Sequence, residues 1–265
     1  MIRVVVSGSG QMGHVAVEAV ESQADMEVVG VLEPLGGGGG APQEFRSAGG
    51  ATYPVHSDPA ALFAAHPDVV VDFTNAKWTP LLVEAALAAG VRPVIGTSGI
   101  TTETTEAIRS ACDASGLGAV VAPNFALGAV ILMHLSTIAA RYFDSAEIIE
   151  LHHDRKVDAP SGTALQTARL MRAARGSDFV HPEPQLEHIP GARGASEGGV
   201  GLHSVRLRGL VASQEVILGG EGQWLTLRHD TSGRDTYKPG IVLAIREVMQ
   251  RTGLVVGLDE LIGLT

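Results

Sequence analysis

The chain has 265 residues, of which 45% are hydrophobic and 18% charged, so it can bury the core of one large or two small domains and is not disordered. Its one cysteine, Cys112, excludes a disulfide framework and a cysteine-rich zinc site, and the formal net charge of −10 argues against nucleic acid as a partner. No uncharged apolar run reaches the roughly 18 residues of a membrane helix and no basic leader precedes the first apolar run, so we expect a cytoplasmic protein without a membrane partner.

The first half of the sequence alternates between short apolar runs and helical patterns. The apolar runs predict strands at Ile2–Val6, Met26–Leu32, Val69–Phe73, Pro93–Gly96 and Ala119–Ala122. The helical patterns lie after Gly10 and near Pro80–Ala89 and Glu103–Ala114. Strands that are apolar on both faces and separated by helices form parallel sheets covered on both sides, so we predict an α/β domain. The glycine run Gly36–Gly40 is interpreted as a mobile loop rather than a domain linker.

The pattern changes after Asn124. A long apolar helix is predicted over Ala126–Tyr142, and strands are predicted at Ala146–Leu151, His203–Arg208, Gln214–Leu218 and Leu225–Arg228. Their partial alternation is typical of a sheet with one covered face, so we predict a second, α+β domain with a mixed or antiparallel sheet. Because the helical pattern at Ile241–Gln250 can return to the first domain, we place that domain at residues 1–126 and 236–265 and the second at residues 127–235.

A glycine-rich turn lies between the first predicted strand and the first predicted helix. Gly8–Gly13 reads G-S-G-Q-M-G and matches G-x-G-x-x-G, whose glycines let the backbone approach a pyrophosphate bound to the free N–H groups of a helix N-terminus. Glu33 ends the second predicted strand, about 20 residues further on, where a carboxylate accepts hydrogen bonds from an adenosine ribose and repels a 2′-phosphate. We therefore predict a Rossmann-type domain that binds NADH in preference to NADPH; the alternative is a glycine-rich turn without a ligand.

Two later strand ends carry turn residues of the same kind. Gly96–Gly99 follows the fourth predicted strand, and Ala122–Phe125 follows the fifth. In an open α/β sheet, ligands bind at the carboxyl ends of the strands, so both segments are expected to line the crevice of the glycine-rich turn. Ordinary turn chemistry is the alternative for either segment alone, but together the three segments favour a dinucleotide.

The densest cluster of polar residues lies in Glu150–Ala164. His152 and His153 directly follow a predicted strand, and neighbouring residues of an extended segment point to opposite sides, so one histidine can face a reacting centre while the other supports or binds. Lys156 adds a positive charge and a potential proton donor. Residues 161–163, Ser-Gly-Thr, predict a helix start whose backbone N–H groups bind an anion, most simply a carboxylate.

Three interpretations of this segment compete. A charged loop with solvated histidines is the simplest, and a metal site built from His152, His153, Asp154 and Asp158 is the second. Neighbouring histidines of an extended segment point apart and no second His/Asp cluster has ligand spacing, so we expect no metal. We favour the third interpretation, a cluster of proton donors and cations for an anionic substrate.

The same segment carries a family resemblance. Glu150–Ala164 matches every fixed position of E-x-H-H-x-x-K-x-D-A-P-S-G-T-A, the signature of the 4-hydroxy-tetrahydrodipicolinate reductase (dihydrodipicolinate reductase) family. The chain resembles this family over essentially its whole length, including Asp72-Phe73-Thr74 and the C-terminal helix. The resemblance implies an oxidoreductase that uses NADH or NADPH to reduce a small cyclic dicarboxylate in diaminopimelate and lysine biosynthesis. It also implies a homotetramer joined through the sheet of the second domain.

The resemblance further implies a role for each candidate site residue. His152 corresponds to the catalytic histidine, a proton donor or acceptor, and Lys156 to the proton-donating lysine. His153 corresponds to a residue that contacts the substrate, and Gly162 and Thr163 to the positions that bind a substrate carboxylate. Cofactor binding is implied for Ser7, Gly8, Ser9, Gly10, Gln11, Met12, Gly96, Thr97, Ser98, Ala122, Pro123, Asn124 and Phe125, to which the ribose argument above adds Glu33.

The sequence departs from the family at the nucleotide site. Ser7 stands where the family usually has glycine, so Gly8 is expected to form the tight turn instead, and Ser98 replaces a common threonine. Basic residues that help to hold a 2′-phosphate in some members are missing at Ser9, Gln11, Pro34 and Leu35. The rival interpretations are another NAD(P)H-dependent amino or imino acid reductase on the same scaffold and a non-catalytic dinucleotide sensor; the complete signature argues against both.

Overall fold

The computed structural model describes residues 1–34 and 44–264, so the loop predicted at Gly36–Gly40 lies outside the described part of the chain. Contacts divide the chain into two compact units. Unit 1 comprises Met1–Leu127 and Arg234–Thr265, and unit 2 comprises Gly128–Gly233.

Strands and helices alternate along most of the chain. The strands are β1 (Ile2–Ser7), β2 (Met26–Leu32), β3 (Glu44–Arg46), β4 (Thr52–His56), β5 (Val69–Asp72), β6 (Arg92–Ile95), β7 (Gly118–Val121), β8 (Ser145–His152), β9 (Ala195–Glu197), β10 (Val200–Arg206), β11 (Ala212–Gly220), β12 (Gln223–Thr231) and β13 (Gly253–Val256). The helices are α1 (Gln11–Glu21), α2 (Pro59–Phe63), α3 (Thr79–Ala88), α4 (Thr102–Ser115), α5 (Leu127–Ala140), α6 (Gly162–Arg175), α7 (Lys238–Val248) and α8 (Leu258–Leu261).

The sheet of unit 1 has the strand order β13-β7-β6-β5-β1-β2-β4-β3, and its pairs are parallel except for β3, which runs antiparallel to β4. Consecutive valines at positions 4–6 of β1 and 69–71 of β5 have no exposed surface, so both faces of the sheet are covered. The predicted α/β domain with a parallel sheet is thereby confirmed. The strand order reverses at β1, whose neighbours are β2 and β5, and open α/β sheets bind ligands at such a reversal.

The sheet of unit 2 has the order β12-β11-β8-β10-β9, in which β10 is parallel to β8 and the other pairs are antiparallel. Along β8, Ala146, Ile148 and Glu150 are buried and the residues between them are partly exposed. Helices α5 and α6 pack on the buried face, where the core includes Leu132, Ala140, Ile148, Ala168, Met171, Val216 and Leu218. The predicted α+β domain with a mixed sheet is confirmed, and Glu150 is a charged residue on its buried face.

The predicted bounds differ from the structure in detail. The long helix predicted over Ala126–Tyr142 is the shorter α5, and the strand predicted at Leu225–Arg228 is the longer β12. Strands β3 and β4 were not predicted, because β3 has three residues and β4 contains a proline and lies near the edge of the sheet. In the described ranges, no helix is long and apolar enough to cross a membrane.

Candidate active site

The glycine-rich turn connects β1 to α1 in unit 1. Gly8 has a φ of +110°, which favours glycine, and a Cβ at this position would lie 2.9 Å from the carbonyl oxygen of Phe73. A Cβ at Gly13 would collide with the carbonyl oxygen of Gly8, so α1 starts close against the turn. At Gly10, the N-cap of α1, the surrounding space is open, and no side chain of the described residues caps the helix. The first N–H groups of α1 can therefore bind an anion, which fits the pyrophosphate of a dinucleotide.

Two side chains border this turn. Glu33 accepts a hydrogen bond from the Ser9 N–H (2.8 Å to Oε2), so its carboxylate stands next to the turn. Ser7 is fully buried, and its hydroxyl accepts a hydrogen bond from the indole N–H of Trp78 (3.1 Å). The Ser7 side chain therefore points into unit 1, and the positive φ that the turn needs is at Gly8.

Asp72, at the end of β5, is a buried carboxylate bound by three threonine hydroxyls. Its Oδ2 accepts hydrogen bonds from Thr79 (2.6 Å) and Thr97 (2.9 Å), and its Oδ1 accepts one from Thr74 (2.7 Å). The Thr97 hydroxyl also accepts a hydrogen bond from the Thr74 N–H (3.0 Å). Thr97, predicted to bind the cofactor, thus uses its side chain to join the ends of β5 and β6, and its contact with a ligand would come from its backbone.

Gly96 lies between two aromatic rings at the ends of β5 and β7. A Cβ at Gly96 would collide with the ring of Phe73 and come within 2.8 Å of the ring of Phe125. The two rings meet edge to face with 5.4 Å between their centroids. The ends of β1, β6 and β7, which carry the predicted cofactor residues, are therefore joined through Phe73. Sequence reasoning gave Phe73 no role, although the segment Asp72-Phe73-Thr74 belongs to the family resemblance.

His152 ends β8 in unit 2, and its ring is oriented by a buried ion pair. His152 Nδ1 lies 2.6 Å from Glu150 Oε2, and the guanidinium of Arg206, on the neighbouring β10, binds both carboxylate oxygens at 2.8 Å. Burial raises the pKa of Glu150, but hydrogen bonds from Arg206 and His152 bring it below its usual value. Glu150 is therefore a carboxylate, which can only accept, so His152 Nδ1 carries the proton.

The two neighbouring histidines have different environments. Burial lowers the pKa of His152 below its ordinary value; Lys156 and Arg206 lower it further, and Glu150 opposes them. The His152 ring is neutral at pH 7, so its Nε2 has a free lone pair. The Nδ1 of His153 accepts a hydrogen bond from the Arg155 N–H (3.2 Å), within its own loop.

The first turn of helix α6 is open to its surroundings at Gly162 and is joined to the sheet of unit 2 by hydrogen bonds. Ser161 is its N-cap, with the hydroxyl accepting a hydrogen bond from the Ala164 N–H (3.2 Å), and a Cβ at Gly162 would meet nothing within 4 Å. From the sheet, Gln214 Nε2 donates to the hydroxyl of Thr167 (2.9 Å), which donates to the carbonyl oxygen of Thr163 (2.8 Å). The helix start is thus fixed in position, and the space around Gly162 is open.

Lys156 pairs with a carboxylate of the protein itself, which lies just before the start of α6. Lys156 Nζ lies 2.8 Å from Asp158 Oδ1. The Lys156 ammonium, and to a smaller extent the Gly162 N–H, lowers the pKa of Asp158. A cation and a helix N-terminus together form a carboxylate-binding site. In the part of the chain that the structure describes, no group of three or more side chains is arranged to hold a metal ion.

Sequence reasoning missed the residues that support this cluster. The sequence motifs do not include Arg206 and Gln214, and they include Glu150 only as a fixed position of the family signature. A signal did exist for Glu150, because the alternation of β8 places it on the buried face, where a carboxylate needs a cationic partner. Which arginine or lysine supplies that partner is not encoded locally, since Arg206 is 56 positions away.

The fold and the two clusters define a class of protein. Unit 1 is a Rossmann-type, nicotinamide-dinucleotide-binding fold, and the chain is an oxidoreductase. Within that class, residues 2–125 match the family model of the N-terminal part of dihydrodipicolinate reductase, and residues 128–262 match the model of its C-terminal part. The chain belongs to the dihydrodipicolinate reductase family.

Individual relatives agree over nearly the whole length. The chain is 47% identical to the 4-hydroxy-tetrahydrodipicolinate reductase of Moorella thermoacetica, with 98% of both chains covered, and 43% identical to that of Shouchella clausii, with 99% of this chain and 100% of the relative covered. The solved structure of dipicolinate-bound dihydrodipicolinate reductase from Paenisporosarcina sp. TG-14 is similar at a TM-score of 0.88 and 40% identity, covering 98% of this chain and 99% of that one. The resemblance predicted from Glu150–Ala164 is confirmed.

Proposed function

We propose that the chain is a 4-hydroxy-tetrahydrodipicolinate reductase, which reduces a small cyclic dicarboxylate imine in diaminopimelate and lysine biosynthesis. The observation that carries the proposal is the ion pair of Lys156 with a half-exposed carboxylate, Asp158, just before the start of α6 in unit 2. A substrate carboxylate would take the place of Asp158 at these groups, with Gly162, Thr163 and His153 as its further contacts. In unit 1, the open start of α1 supports binding of the dinucleotide.

Lys156 and His152 are proposed to have different roles in the protonation of the substrate. NADH or NADPH, when bound, would supply a hydride to C4 of the substrate ring, after or together with loss of the 4-hydroxyl as water. The electron density pushed toward the adjacent carbon and the ring nitrogen then has to be neutralised by a proton. Lys156 carries a transferable proton on Nζ. His152 carries its proton on Nδ1, where Glu150 holds it, so its Nε2 accepts a hydrogen bond rather than donating one. We therefore assign proton donation to Lys156 and hydrogen-bond acceptance to His152.

NADH is the proposed cofactor of choice. The Glu33 carboxylate stands beside the turn, where it can accept hydrogen bonds from ribose hydroxyls and repels the 2′-phosphate of NADPH. Ser9 and Gln11 supply no positive charge to offset this repulsion.

The proposed assembly is a homotetramer joined through the sheet of unit 2. Strand β12 lies at the edge of that sheet, where Trp224 is 77% exposed and Leu225 is 37% exposed. An exposed apolar edge strand readily pairs with another chain, and a second copy would remove these side chains from water. Sedimentation velocity, which measures the mass in solution, tests this part of the proposal.

A coupled assay tests the proposed reaction. Dihydrodipicolinate synthase makes the unstable substrate in place from pyruvate and aspartate semialdehyde, and absorbance of the reduced nicotinamide is followed with NADH and NADPH in parallel. We expect oxidation that depends on the synthase and is faster with NADH. Absence of synthase-dependent oxidation by a protein that still binds NADH would refute the substrate assignment and leave the fold unaffected.

A further inference from the structure

Glu150 is the point at which three parts of unit 2 meet. Its Oε1 accepts hydrogen bonds from the Ser161 N–H (3.1 Å) and from Arg206 (2.8 Å), and its Oε2 accepts from Arg206 (2.8 Å) and His152 Nδ1 (2.6 Å). The side chain is 1% exposed. These hydrogen bonds all come from groups that border the proposed substrate site: the histidine, the N-cap of α6 and an arginine of β10.

Arg206 extends the same network to the loop that carries Lys156. Its guanidinium binds Glu150 with two parallel hydrogen bonds, a geometry that fixes orientation as well as charge. It also donates to the carbonyl oxygen of Asp158 (2.6 Å) and to that of Val205 (2.8 Å). Because Asp158 and Lys156 belong to the same loop, Arg206 holds the backbone of this loop against β10.

We propose that Glu150 and Arg206 are positioning residues of the reductase, which hold the His152 ring with its proton on Nδ1 and its Nε2 toward the substrate. The inference rests on the proposed function, in which His152 Nε2 accepts a hydrogen bond. Neither residue needs to touch the substrate, since Glu150 is buried behind His152 and Ser161. A carboxylate behind a histidine is a general means of fixing its tautomer and orientation.

The test is the Glu150→Gln variant, which keeps the size of the side chain and removes its charge. An amide presents an NH₂ group to Arg206 or to His152, so the ring loses its fixed acceptor. We expect kcat to fall about 10- to 100-fold, with the substrate KM within about threefold of the wild type. The Kd of NADH should not change, because the dinucleotide is proposed to bind to unit 1. Circular dichroism and thermal unfolding, compared with the wild type, report whether unit 2 of the variant is folded.

Two readouts separate positioning from a purely structural role. Nuclear magnetic resonance of ¹⁵N-labelled histidine distinguishes protonated from unprotonated ring nitrogens, and we expect the fixed Nδ1–H form of His152 in the wild type to become a mixture in the variant. Glu150 raises the pKa of His152 against the larger lowering by burial, so its neutralisation should move the acid limb of kcat/KM to lower pH. The Arg206→Lys variant, which keeps the charge but cannot bind both oxygens, should give an intermediate kcat.

The chain contains a matched control on the same strand. Glu147 also binds an arginine and a histidine, Arg193 (2.8 Å) and His203 Nε2 (2.7 Å), but it lies on the opposite face of β8. We expect Glu147→Gln to leave kcat within about twofold. The inference is wrong if Glu150→Gln retains the kcat and tautomer of the wild type, or if Glu147→Gln lowers kcat as much. A wild-type protein without synthase-dependent turnover would instead refute the proposed function, and the tautomer of His152 would still be measurable.

Discussion

Replacement of Asp158 by asparagine should strengthen the binding of dicarboxylates. Lys156 Nζ lies 2.8 Å from Asp158 Oδ1, and the Asp158 side chain is 50% exposed. A dicarboxylate that binds at the start of α6 has to replace Asp158 as the ion-pair partner of Lys156. Because the asparagine has no charge, Lys156 and the Gly162 N–H are available to the ligand in the variant.

The size of the effect follows from the exposure of the pair. Exposed ion pairs contribute about 0.2–1 kcal/mol, and a ligand recovers at most this amount when the competing carboxylate is removed. We expect dipicolinate, the dicarboxylate bound in the Paenisporosarcina structure, to inhibit this chain as well. Since about 1.4 kcal/mol is a factor of ten, its inhibition constant should fall by up to about fivefold in the variant. Lys156 lowers the pKa of Asp158, so the competing group stays charged at neutral pH and the effect should be constant between about pH 6 and pH 9.

Inhibition of the coupled assay by dipicolinate, with titration calorimetry as a second measurement, gives the constant. Asp154→Asn is the matched control, because Asp154 lies in the same loop and pairs instead with Arg208 (3.2 Å), whose side chain is 92% exposed. It removes the same charge without freeing Lys156, so we expect little change. An inhibition constant that rises or stays the same in Asp158→Asn would refute the reasoning. An equal fall in both variants would show that the effect comes from the net charge of the protein and not from the release of Lys156.

Three further results are expected. Lys156→Ala should lower kcat about 10²- to 10⁴-fold, the range of a general acid, with the Kd of NADH within about threefold; turnover near the wild type would exclude Lys156 as the donor. Glu33→Gln should raise kcat/KM with NADPH relative to NADH about fivefold, as for roughly 1 kcal/mol of charge repulsion removed at a solvated site, and an unchanged ratio would contradict the role of Glu33. Thr97→Val removes the hydrogen bond from the Thr97 hydroxyl to Asp72 and the acceptor of the Thr74 N–H, about 2–4 kcal/mol in total, so calorimetry should show Tm lower by at least about 4 °C. An unchanged Tm with lost NADH affinity would show that the Thr97 hydroxyl contacts the cofactor instead.

The parts that could be predicted from the sequence are those whose signals are local. The apolar run of β1, the glycines after it and the helical pattern of α1 are consecutive, so their geometry follows from neighbouring residues. The start of α6, which is proposed to bind a carboxylate, is also predictable from neighbouring residues, because Ser161 and Gly162 are typical of a helix N-terminus. At the end of β1, however, neighbouring residues do not explain why Ser7 stands where the family usually has glycine. Its hydroxyl accepts a hydrogen bond from the indole of Trp78, which is 71 positions away.

The supporting contacts depend on which strands become neighbours. Glu150 meets Arg206 because β10 runs parallel to β8 with His152 opposite Arg206, and no periodicity in either strand specifies that register. In the same way, Asp72 and Thr97 meet because β5 and β6 are adjacent, with Asp72 opposite Ile95. The residues that are proposed to contact ligands could therefore be named from motifs, whereas the residues that hold them in place required the topology.

The two ion pairs beside the proposed substrate site differ in burial and geometry. The net charge of −10 repels a dicarboxylate at long range, so the site has to attract it locally, yet Lys156 and Arg206 are each paired with a carboxylate of the protein. The Arg206–Glu150 pair is bidentate and buried, and loss of either partner would leave an uncompensated charge in the interior. The Lys156–Asp158 pair is single and half-exposed, so a substrate carboxylate can replace Asp158 at small cost. The Arg206–Glu150 pair is therefore suited to hold His152, and the Lys156–Asp158 pair is suited to be exchanged for a pair with the substrate. For this reason, substitution of Glu150 should change kcat, whereas substitution of Asp158 should change the affinity for dicarboxylates.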